Sequence, residues 1–278
     1  MVSQVRARAT PGRYDPGAAA AHGDLVVDIA AGRYALADLV AHHPHGDPEQ
    51  LCAACAFSAG CIATGHDEEA MRRVQCVVEH LGPYHVGDAI FRAHEPFKAI
   101  YAVRSGMVKT QVVDGDGHEQ VLGFYLPGEA VGLNAIHPER YPCDAMALDT
   151  VYVCRFSFPT VRELAQQVPD LLMNLLRALS KEIGTSAMLA GDYSADERMA
   201  AFLLDLGERL AERRQSATQL HLAMPRGDIA NYLRLAPETV SRVLARFREQ
   251  GLIRVDGREI ELTDAPRLRE RARNVLQR

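Results

Sequence analysis

The spacing of apolar positions changes once along the chain. Between residues 84 and 158, short apolar or β-branched runs alternate with turns rich in glycine, such as 114–117 and 127–128. Many short strands interrupted in this way are typical of an antiparallel roll or barrel. From Pro159 onward, apolar residues recur every three or four positions, which predicts helices. We therefore predict an α+β chain in which a β-roll precedes a helical part.

The helical part includes a long helix with a narrow apolar stripe. Its members recur at spacings of three and four residues after Pro169: Leu172, Leu175, Leu176, Leu179 and Ile183. A narrow stripe is typical of pairing with a second helix, so we predict that it mediates dimerisation. Burial against the chain's own roll is the alternative. Gly184, Ser186 and Gly191 interrupt the stripe, and each glycine inside a helix costs about 1 kcal/mol relative to alanine. Pairing is therefore expected to be marginal.

Two helices joined by a tight turn are predicted after a charged amphipathic helix at residues 196–214. Residues 224–233 and 237–249 have helical patterns, and Pro237 fits the first turn of the second helix, where its missing N–H costs nothing. The apolar residues that can pack these two helices together are Leu233, Val240, Val243, Leu244 and Phe247. This arrangement is a helix-turn-helix.

The second helix of this pair has a polar outer face. It consists of Glu238, Ser241, Arg242 and Arg246. In a DNA groove, arginine can bind guanine and glutamate can accept a hydrogen bond from cytosine, whereas the alternative is a solvated charged face. A hairpin follows, because residues 253–255 and 260–262 flank Asp256-Gly257, a two-residue turn signal. A helix-turn-helix with such a wing is typical of DNA-binding modules.

The distribution of charge agrees with a C-terminal DNA-binding part. The whole chain has a net charge of −5, which alone argues against nucleic-acid binding. Residues 196–278 hold 16 arginines, no lysine and 13 acidic residues, a net charge of +3, so the rest carries −8. A mildly basic segment on an acidic body is typical of a two-part protein whose tail contacts phosphate.

Three thiols lie within ten residues near the start of the chain. Cys52, Cys55 and Cys61 have the spacing C-x2-C-x5-C, which allows one loop to direct them to a common centre. Thiolates bind zinc and iron–sulfur clusters, and a closed site needs four ligands. A fourth ligand must come from elsewhere, and the remaining cysteines are Cys76, Cys143 and Cys154.

The cysteines and the N-terminus also indicate a cellular compartment. Six cysteines are too few and too clustered for a secreted disulfide framework. The first 23 residues contain no apolar core of a secretory signal, and no apolar run reaches the length of a membrane span. We therefore expect a soluble cytoplasmic protein with reduced thiols and no membrane partner.

The predicted elements divide the chain into four parts. Residues 1–50 form an N-terminal extension, expected to be largely disordered because its beginning is small, polar and rich in glycine and proline. Residues 51–163 hold the cysteine loop and the β-roll, and a helix is predicted within them at 67–81. Residues 164–195 form the dimerisation helix, and 196–278 the winged helix-turn-helix.

These motifs together resemble the CRP/FNR superfamily, and within it the fumarate and nitrate reduction (FNR) type, the oxygen-responsive branch. The resemblance covers residues 51–278. Its most specific motifs are the block from Arg226-Gly-Asp-Ile229 to Arg242, the spacing of the three N-terminal cysteines, and the segment 147–154. It implies a cyclic-nucleotide-binding-like β-roll as sensor domain, a long dimerisation helix and a C-terminal winged helix-turn-helix.

The resemblance also implies the cofactor and its ligands. The thiol that ends the segment 147–154 corresponds to the fourth ligand, so the implied set is Cys52, Cys55, Cys61 and Cys154, and neither Cys143 nor Cys76 belongs to it. The implied cofactor is a [4Fe-4S] cluster, which favours the dimer that binds DNA. Oxygen converts the cluster towards [2Fe-2S], and the dimer dissociates.

The DNA contacts follow from the same resemblance. The implied target is a palindrome similar to TTGAT-N4-ATCAA, with RNA polymerase as a further partner. The positions that match base-contacting residues of the family are Glu238, Ser241 and Arg242. Thr239, Arg246 and Arg226 are predicted to contact DNA as well.

The sequence departs from the family at two informative places. Ala236 stands where the family often has a threonine N-cap, and loss of a cap typically costs about 1 kcal/mol. Relatives that bind cyclic AMP carry an Arg-Ser pair near the position of Tyr141-Pro142, and this chain lacks it. Without that arginine a cyclic phosphate has no obvious counter-charge, so no cyclic nucleotide is expected as a ligand.

Two other classes of function compete with a cluster-sensing regulator. One is a regulator with a structural zinc site and a different small-molecule effector bound in the roll. The other is a metal-dependent enzyme built on a small β-barrel. The sequence contains no catalytic triad motif, phosphate loop or two-histidine metal motif, so we predict that the protein is not an enzyme.

Overall fold

The computed structural model describes residues 78–276 and, before them, the short paired strands β1 (Ala21–His22) and β2 (Leu25–Val26). Within the helix at 169–190, the side chains of 187–190 are outside the described part. The remaining predictions for residues 1–77 also lie outside it: the largely disordered extension, the helix before residue 78, and the positions of Cys52, Cys55, Cys61 and Cys76.

Eight strands build the predicted antiparallel roll. They form two four-stranded sheets with the orders β3-β10-β5-β8 and β4-β9-β6-β7. Valine and alanine side chains from both sheets fill the space between them, as at Val103, Val108 and Val153. The strands are β3 (Val78–Tyr84), β4 (Ala89–Phe91), β5 (Ala99–Ser105), β6 (Val108–Val113), β7 (Glu119–Tyr125), β8 (Ala130–Val131), β9 (Asp144–Ala147) and β10 (Val151–Ser157).

The helix predicted over 67–81 is wrong at its C-terminal end. Residues 78–81 belong to β3, which pairs with β10 through Val78↔Phe156, His80↔Cys154 and Leu81↔Val153. The local sequence is compatible with a helix, but pairing with β10 satisfies the backbone of this segment and places Val78 in an apolar core, so tertiary contacts decide its conformation.

Two helices follow the roll, α1 (Phe158–Gln167) and α2 (Pro169–Ala190). The predicted apolar stripe lies on α2 alone and is divided between two faces of that helix. Leu175 is buried against the roll, and Leu179 is partly buried on the same side. Leu172, Leu176 and Ile183 point away from the roll and are 47%, 48% and 69% exposed. The alternative, burial against the chain's own roll, thus holds for Leu175 and in part for Leu179, while the other three residues form an apolar face without a partner within residues 78–276.

The charged helix α3 (Ala195–Ala211) begins at a capping box and ends three residues before the predicted boundary. Ser194 Oγ accepts from the Glu197 backbone N–H, and the Glu197 carboxylate accepts from the Ser194 N–H. The chain leaves the helix after Ala211, and Arg214 has a left-handed backbone with φ 58°.

The helix-turn-helix comprises α4 (Arg226–Leu233) and α5 (Pro237–Glu249), as predicted. Arg234 makes the turn with φ 55°, Ala236 is the N-cap of α5 without a side-chain cap, and Pro237 is the first helical residue. The five apolar residues expected to join the two helices are all buried: Leu233, Val240, Val243, Leu244 and Phe247.

The wing is a three-stranded sheet with the order β11-β13-β12, formed by β11 (Gln219–His221), β12 (Ile253–Asp256) and β13 (Glu259–Leu262). Asp256 pairs with Glu259, so the two-residue loop is Gly257-Arg258, one position later than predicted. Gly257 adopts φ 57°, which glycine does without strain. Two short helices follow the wing, α6 (Ala265–Arg271) and α7 (Arg273–Leu276).

The winged helix-turn-helix packs directly against the roll. Phe124 of β7 contacts Phe202 of α3 and Tyr232 of α4, with ring centroids 6.3 and 5.1 Å away. The side chain of Asn231 accepts from the Val121 N–H at 2.7 Å and donates to the Glu119 carbonyl. One apolar core therefore extends across the boundary between the two parts. Within residues 78–276, no helix combines the length and apolar character that crossing a membrane requires.

Candidate functional site

The outer face of α5 presents the predicted base-reading residues to solvent. Glu238, Ser241 and Arg242 are exposed, while Thr239 is half-buried beside them. Arg242 Nη2 donates to Thr239 Oγ1 at 3.2 Å, and Ser241 Oγ donates to the Pro237 carbonyl at 3.2 Å. Because Val240, Val243 and the other apolar residues of α5 point inward, the helix is strongly amphipathic and its polar face is available to a groove.

Arg246, on the same face, is already engaged within the protein. Its guanidinium forms a two-point ion pair with Asp196 at the start of α3, and Arg271 lies 3.6 Å from the same carboxylate. The hydrogen bonds and the charge of Asp196 raise the pKa of Arg246. Sequence reasoning missed Asp196, since nothing in the spacing of residues 196 and 246 indicates that they meet.

Arg226 joins the helix-turn-helix to the wing. It is the first residue of α4, and its Nη2 donates to the Gly257 carbonyl at 3.1 Å. Its Nη1 is buried without a hydrogen-bond partner among the described residues. Burial lowers the pKa of this guanidinium. Arg226 is predicted to contact DNA, but in this structure its side chain is hydrogen-bonded to the wing.

Cys154 lies on the outer surface of the roll, on the face of β10 that also holds Phe156. Its side chain is partly exposed, and its Sγ is 3.4 Å from Nδ1 of His80, which lies directly opposite on β3. Partial desolvation and then the charge of nearby Arg104 lower the pKa of His80. A thiol that is partly exposed in this way is accessible to a metal.

Cys143 has the opposite environment. It is fully buried between the two sheets, and its Sγ accepts a hydrogen bond from Asn134 Nδ2 at 3.6 Å. Burial raises the pKa of this thiol, despite the hydrogen bond from Asn134. A thiol that is closed off and held protonated is a structural core residue, so of the two described cysteines only Cys154 is suited to binding a metal.

Cys154 is also connected to the helices α1 and α2 through one apolar cluster. It packs on an apolar cluster that Val78 and Phe156 of the roll form with Leu164 of α1 and Leu175 of α2. Leu179 is partly buried against the same cluster. One layer of side chains therefore connects the candidate metal ligand to the helix that carries the exposed apolar face.

Aromatic side chains occupy the part of the roll where cyclic-AMP-binding relatives carry their phosphate-binding pair. Tyr141 is buried, stacks on Phe91 with a centroid distance of 3.9 Å and donates from its hydroxyl to the Ala99 carbonyl at 2.8 Å. A Cβ on Gly132 would lie 3.3 Å from the Tyr141 ring, which shows how closely the loop approaches it. Burial raises the pKa of Tyr141 well above its ordinary value.

A buried ionic network connects the roll to α3. The Glu129 carboxylate accepts from Arg209 Nε at 2.9 Å, lies 3.0 Å from Arg213 Nη2, and accepts from the Leu126 N–H at 2.9 Å. The side chains of Glu129, Arg209 and Arg213 are only 14%, 11% and 2% exposed. At the other edge of the same interface, Lys109 of β6 pairs with Asp228 of α4 at 2.9 Å.

Two known domains match the two parts of the chain. Residues 82–168 match the cyclic nucleotide-binding domain, and residues 197–271 match the Crp-like helix-turn-helix domain. The matched ranges correspond to the β-roll with α1 and to the winged helix-turn-helix, in agreement with the predicted fold.

The chain is also similar to characterised regulators. It is 40% identical over 221 residues to the transcriptional activator protein Anr of Pseudomonas aeruginosa, which covers 78% of this chain and 91% of the relative. It is 37% identical over 230 residues to the fumarate nitrate reduction regulatory protein of Klebsiella oxytoca, covering 81% and 92%. These relatives are transcriptional regulators and not enzymes, as predicted for this chain.

Solved structures agree on the fold. FixK2 from Bradyrhizobium japonicum superimposes with a TM-score of 0.61 at 29% identity, over 69% of this chain and 95% of that one. A CRP/FNR-family regulator from Thermus thermophilus has a TM-score of 0.54 at 24% identity, over 70% and 98%. The two matched domains and the regulators at 37–40% identity show that the chain belongs to the CRP/FNR superfamily of transcriptional regulators, and within it to the FNR type.

Proposed function

We propose that this regulator responds to oxygen through a [4Fe-4S] cluster and binds, as a dimer, a palindrome similar to TTGAT-N4-ATCAA. The observation that carries the proposal is the setting of Cys154, a partly exposed thiol on the outside of the roll that packs on the same apolar cluster as α2. A ligand at this point can affect the helix that bears the exposed apolar face.

The proposed ligands are Cys52, Cys55, Cys61 and Cys154. The donor set fits the group, because iron–sulfur clusters are held by four thiolates, and Cys154, the one proposed ligand among the described residues, is partly exposed. When bound, the cluster supplies redox chemistry that reacts with oxygen. The chain contributes the Cys154 side chain, which the pairing of β3 and β10 holds in place and which packs on the same apolar cluster as α2.

Dimerisation is proposed to use the exposed face of α2. Leu172, Leu176 and Ile183 lie on one side of the helix, while Leu175 and Leu179 hold the opposite side against the roll. Two recognition helices must lie about 34 Å apart to enter successive major grooves, so only a dimer can bind both half-sites. Because Gly184, Ser186 and Gly191 interrupt the stripe, such a pair is expected to be marginal, and a bias of a few kcal/mol at the roll can then decide the dimer population.

The DNA-reading role rests on the exposed polar face of α5. Arg242 is proposed to bind a guanine, with Glu238 and Ser241 on neighbouring bases, because all three side chains are exposed on the helix that a winged helix-turn-helix inserts into the major groove. Thr239 supports Arg242 from the same face, and Arg246 and Arg226 are proposed to contact the DNA backbone after giving up part of their internal bonds. RNA polymerase is the proposed further partner, and the cytoplasm is the proposed location.

Cyclic nucleotides are not proposed as ligands. Tyr141 stands where the resemblance implies an arginine in relatives that bind cyclic AMP, and its ring is buried and stacked on Phe91. Glu129, the acidic residue of the same loop, is already engaged by Arg209 and Arg213.

The test is anaerobic purification followed by absorption spectroscopy and chemical analysis. We expect a brown protein with about four iron and four sulfide ions per chain. Replacing Cys52, Cys55, Cys61 or Cys154 by serine should each abolish the chromophore. Cys143→Ser is the matched control within the roll and should keep it. Retention of full iron in Cys154→Ser, together with its loss in Cys143→Ser, would refute the ligand assignment.

A structural zinc site is the second candidate, and the imidazole of His80 beside Cys154 favours it, since mixed thiolate and imidazole sites are common for zinc. Zinc is colourless and does not require sulfide. A colourless anaerobic protein with about one zinc per chain would support this candidate against the cluster.

A further inference from the structure

His80 lies beside the proposed ligand Cys154. Its Nδ1 lies 3.4 Å from the Cys154 Sγ, within the range of a hydrogen bond to sulfur. Both residues are on the outer face of the sheet, directly opposite each other on β3 and β10. The resemblance that assigns Cys154 assigns nothing to His80.

The register of the two strands holds this pair together. On one side Leu81 pairs with Val153, and on the other Glu79 pairs with Arg155. The Glu79 and Arg155 side chains also form an ion pair of 2.7 Å on the other face of the sheet. A slip of one residue would move His80 to that other face, and it would bring Val78, a core residue, out of its cluster. The imidazole is therefore positioned by the fold.

We propose that His80 is a positioning residue for the cluster: its Nδ1–H donates a hydrogen bond to the Cys154 thiolate and thereby slows the oxidative loss of the cluster. The inference rests on the proposed function, since it needs Cys154 as a ligand. An N–H at Nδ1 is present in the imidazolium and in one neutral tautomer, so the role does not depend on a change of charge.

The physical effect of such a bond has a definite sign. A hydrogen bond to a ligating sulfur withdraws electron density from it and stabilises the more electron-rich state of the cluster, which raises its reduction potential. A cluster with a higher potential is harder to oxidise. Loss of the bond should therefore lower the potential and accelerate decay in air. Removal of residues that hydrogen-bond to metal ligands typically changes metal affinity or activity about 10–100-fold.

The experiment compares three variants of the full chain, purified without oxygen. His80→Leu removes the donor, and His80→Asn keeps an N–H close to the position of Nδ1. His137→Leu, at an exposed histidine elsewhere in the roll, is the matched control. The readouts are iron and sulfide content, the midpoint potential, and the rate at which the visible absorbance disappears in air-saturated buffer.

We expect His80→Leu to lose its absorbance about 10-fold faster than the wild type and to have a lower midpoint potential. His80→Asn should recover most of the wild-type rate and potential, and His137→Leu should match the wild type. Thermal unfolding of the cluster-free forms should be the same in all of them, because a merely structural role of His80 would appear there.

The outcomes separate this inference from the function on which it rests. A wild-type cluster together with unchanged decay and potential in His80→Leu would overturn the inference alone. Equal acceleration in His80→Leu and His80→Asn would also overturn it, since a donor would then not matter. A wild-type protein without iron and sulfide would overturn the proposed function and the inference together.

Discussion

Removing the negative charge of Glu129 should weaken the interface between the roll and the DNA-binding part. Glu129→Gln keeps the volume of the side chain but removes the buried counter-charge that Arg209 and Arg213 share, in a site where their side chains are 11% and 2% exposed. The carboxylates that remain are more exposed: Asp205 lies 3.2 Å from Arg209, and Glu212 lies 3.7 Å from Arg213. Removal of one partner from a buried ion pair costs about 3–5 kcal/mol, because the remaining charge is desolvated and uncompensated. We expect a loss of this size in the free energy of unfolding.

The assay is thermal unfolding followed by calorimetry and circular dichroism. A chain of this size shifts its midpoint by about 2–4 °C per kcal/mol, so Glu129→Gln should unfold roughly 10 °C below the wild type. Glu212→Gln is the matched control, because Glu212 is a neighbour of Arg213 at 3.7 Å but is 61% exposed. An exposed ion pair contributes about 0–1 kcal/mol, so the unfolding midpoint of Glu212→Gln should shift little. Equal shifts in the two variants would refute the reasoning.

The stability of the fold should also depend on pH through the Glu129 carboxylate. Burial raises the pKa of Glu129, but the charge and hydrogen bonds of Arg209 and the charge of Arg213 more than offset this, so the pKa lies below its ordinary value of 4.5. A depressed pKa contributes stability that is present above pH 4.5 and is lost as the pH falls through the lowered value. The unfolding free energy of the wild type should therefore fall in acid more than that of Glu129→Gln, which has no carboxylate to protonate at this position.

Two further predictions concern DNA readout and dimerisation. Arg242→Ala should lose about 1–3 kcal/mol of discrimination at a single base pair, measured by binding to all single-base variants of the half-site; a uniform loss at every position would mean that Arg242 contacts only phosphate. Leu176→Glu should abolish dimerisation in sedimentation experiments while changing the unfolding free energy by only about 0.5 kcal/mol, since Leu176 is 48% exposed. In contrast, Leu175→Ala should destabilise the fold by about 2–5 kcal/mol, because it opens a cavity against the roll. A Leu176→Glu variant that stays dimeric would exclude this face of α2 as the interface.

The elements with strong local signals could be predicted from the sequence. The helix-turn-helix follows from the inward spacing of Val240, Val243 and Phe247 together with Pro237 at the helix start, and all of these have the expected positions. The glycine-rich turns between short apolar runs likewise predict the antiparallel roll. In these cases one short segment contains the whole signal, and tertiary contacts do not override it.

Other features depend on contacts between distant segments, and the sequence could not predict them. Residues 78–81 form a strand only because β10, more than 70 positions later, pairs with them. The apolar stripe on α2 is divided between two faces of the helix, and only the position of the roll determines that Leu175 is on the buried face. The pairing of Arg246 with Asp196 and the meeting of His80 with Cys154 have no signature in local spacing either. The observed wing turn lies one residue after the predicted one. Either Asp256-Gly257 or Gly257-Arg258 can form a two-residue hairpin loop, and only the register of β12 and β13 decides between them.

The bonds between Asn231 and β7 have a consequence for how the chain folds. Asn231 exchanges hydrogen bonds with residues 119–121, which are some 110 positions earlier, and the aromatic rings of Phe124, Phe202 and Tyr232 lie in the same core. The two sequence modules therefore share one core, and we expect them to unfold together. Excision of the C-terminal module would expose these rings to water and separate Arg209 and Arg213 from Glu129. A domain boundary that is clear in the sequence is thus not a place where the folded molecule can be cut.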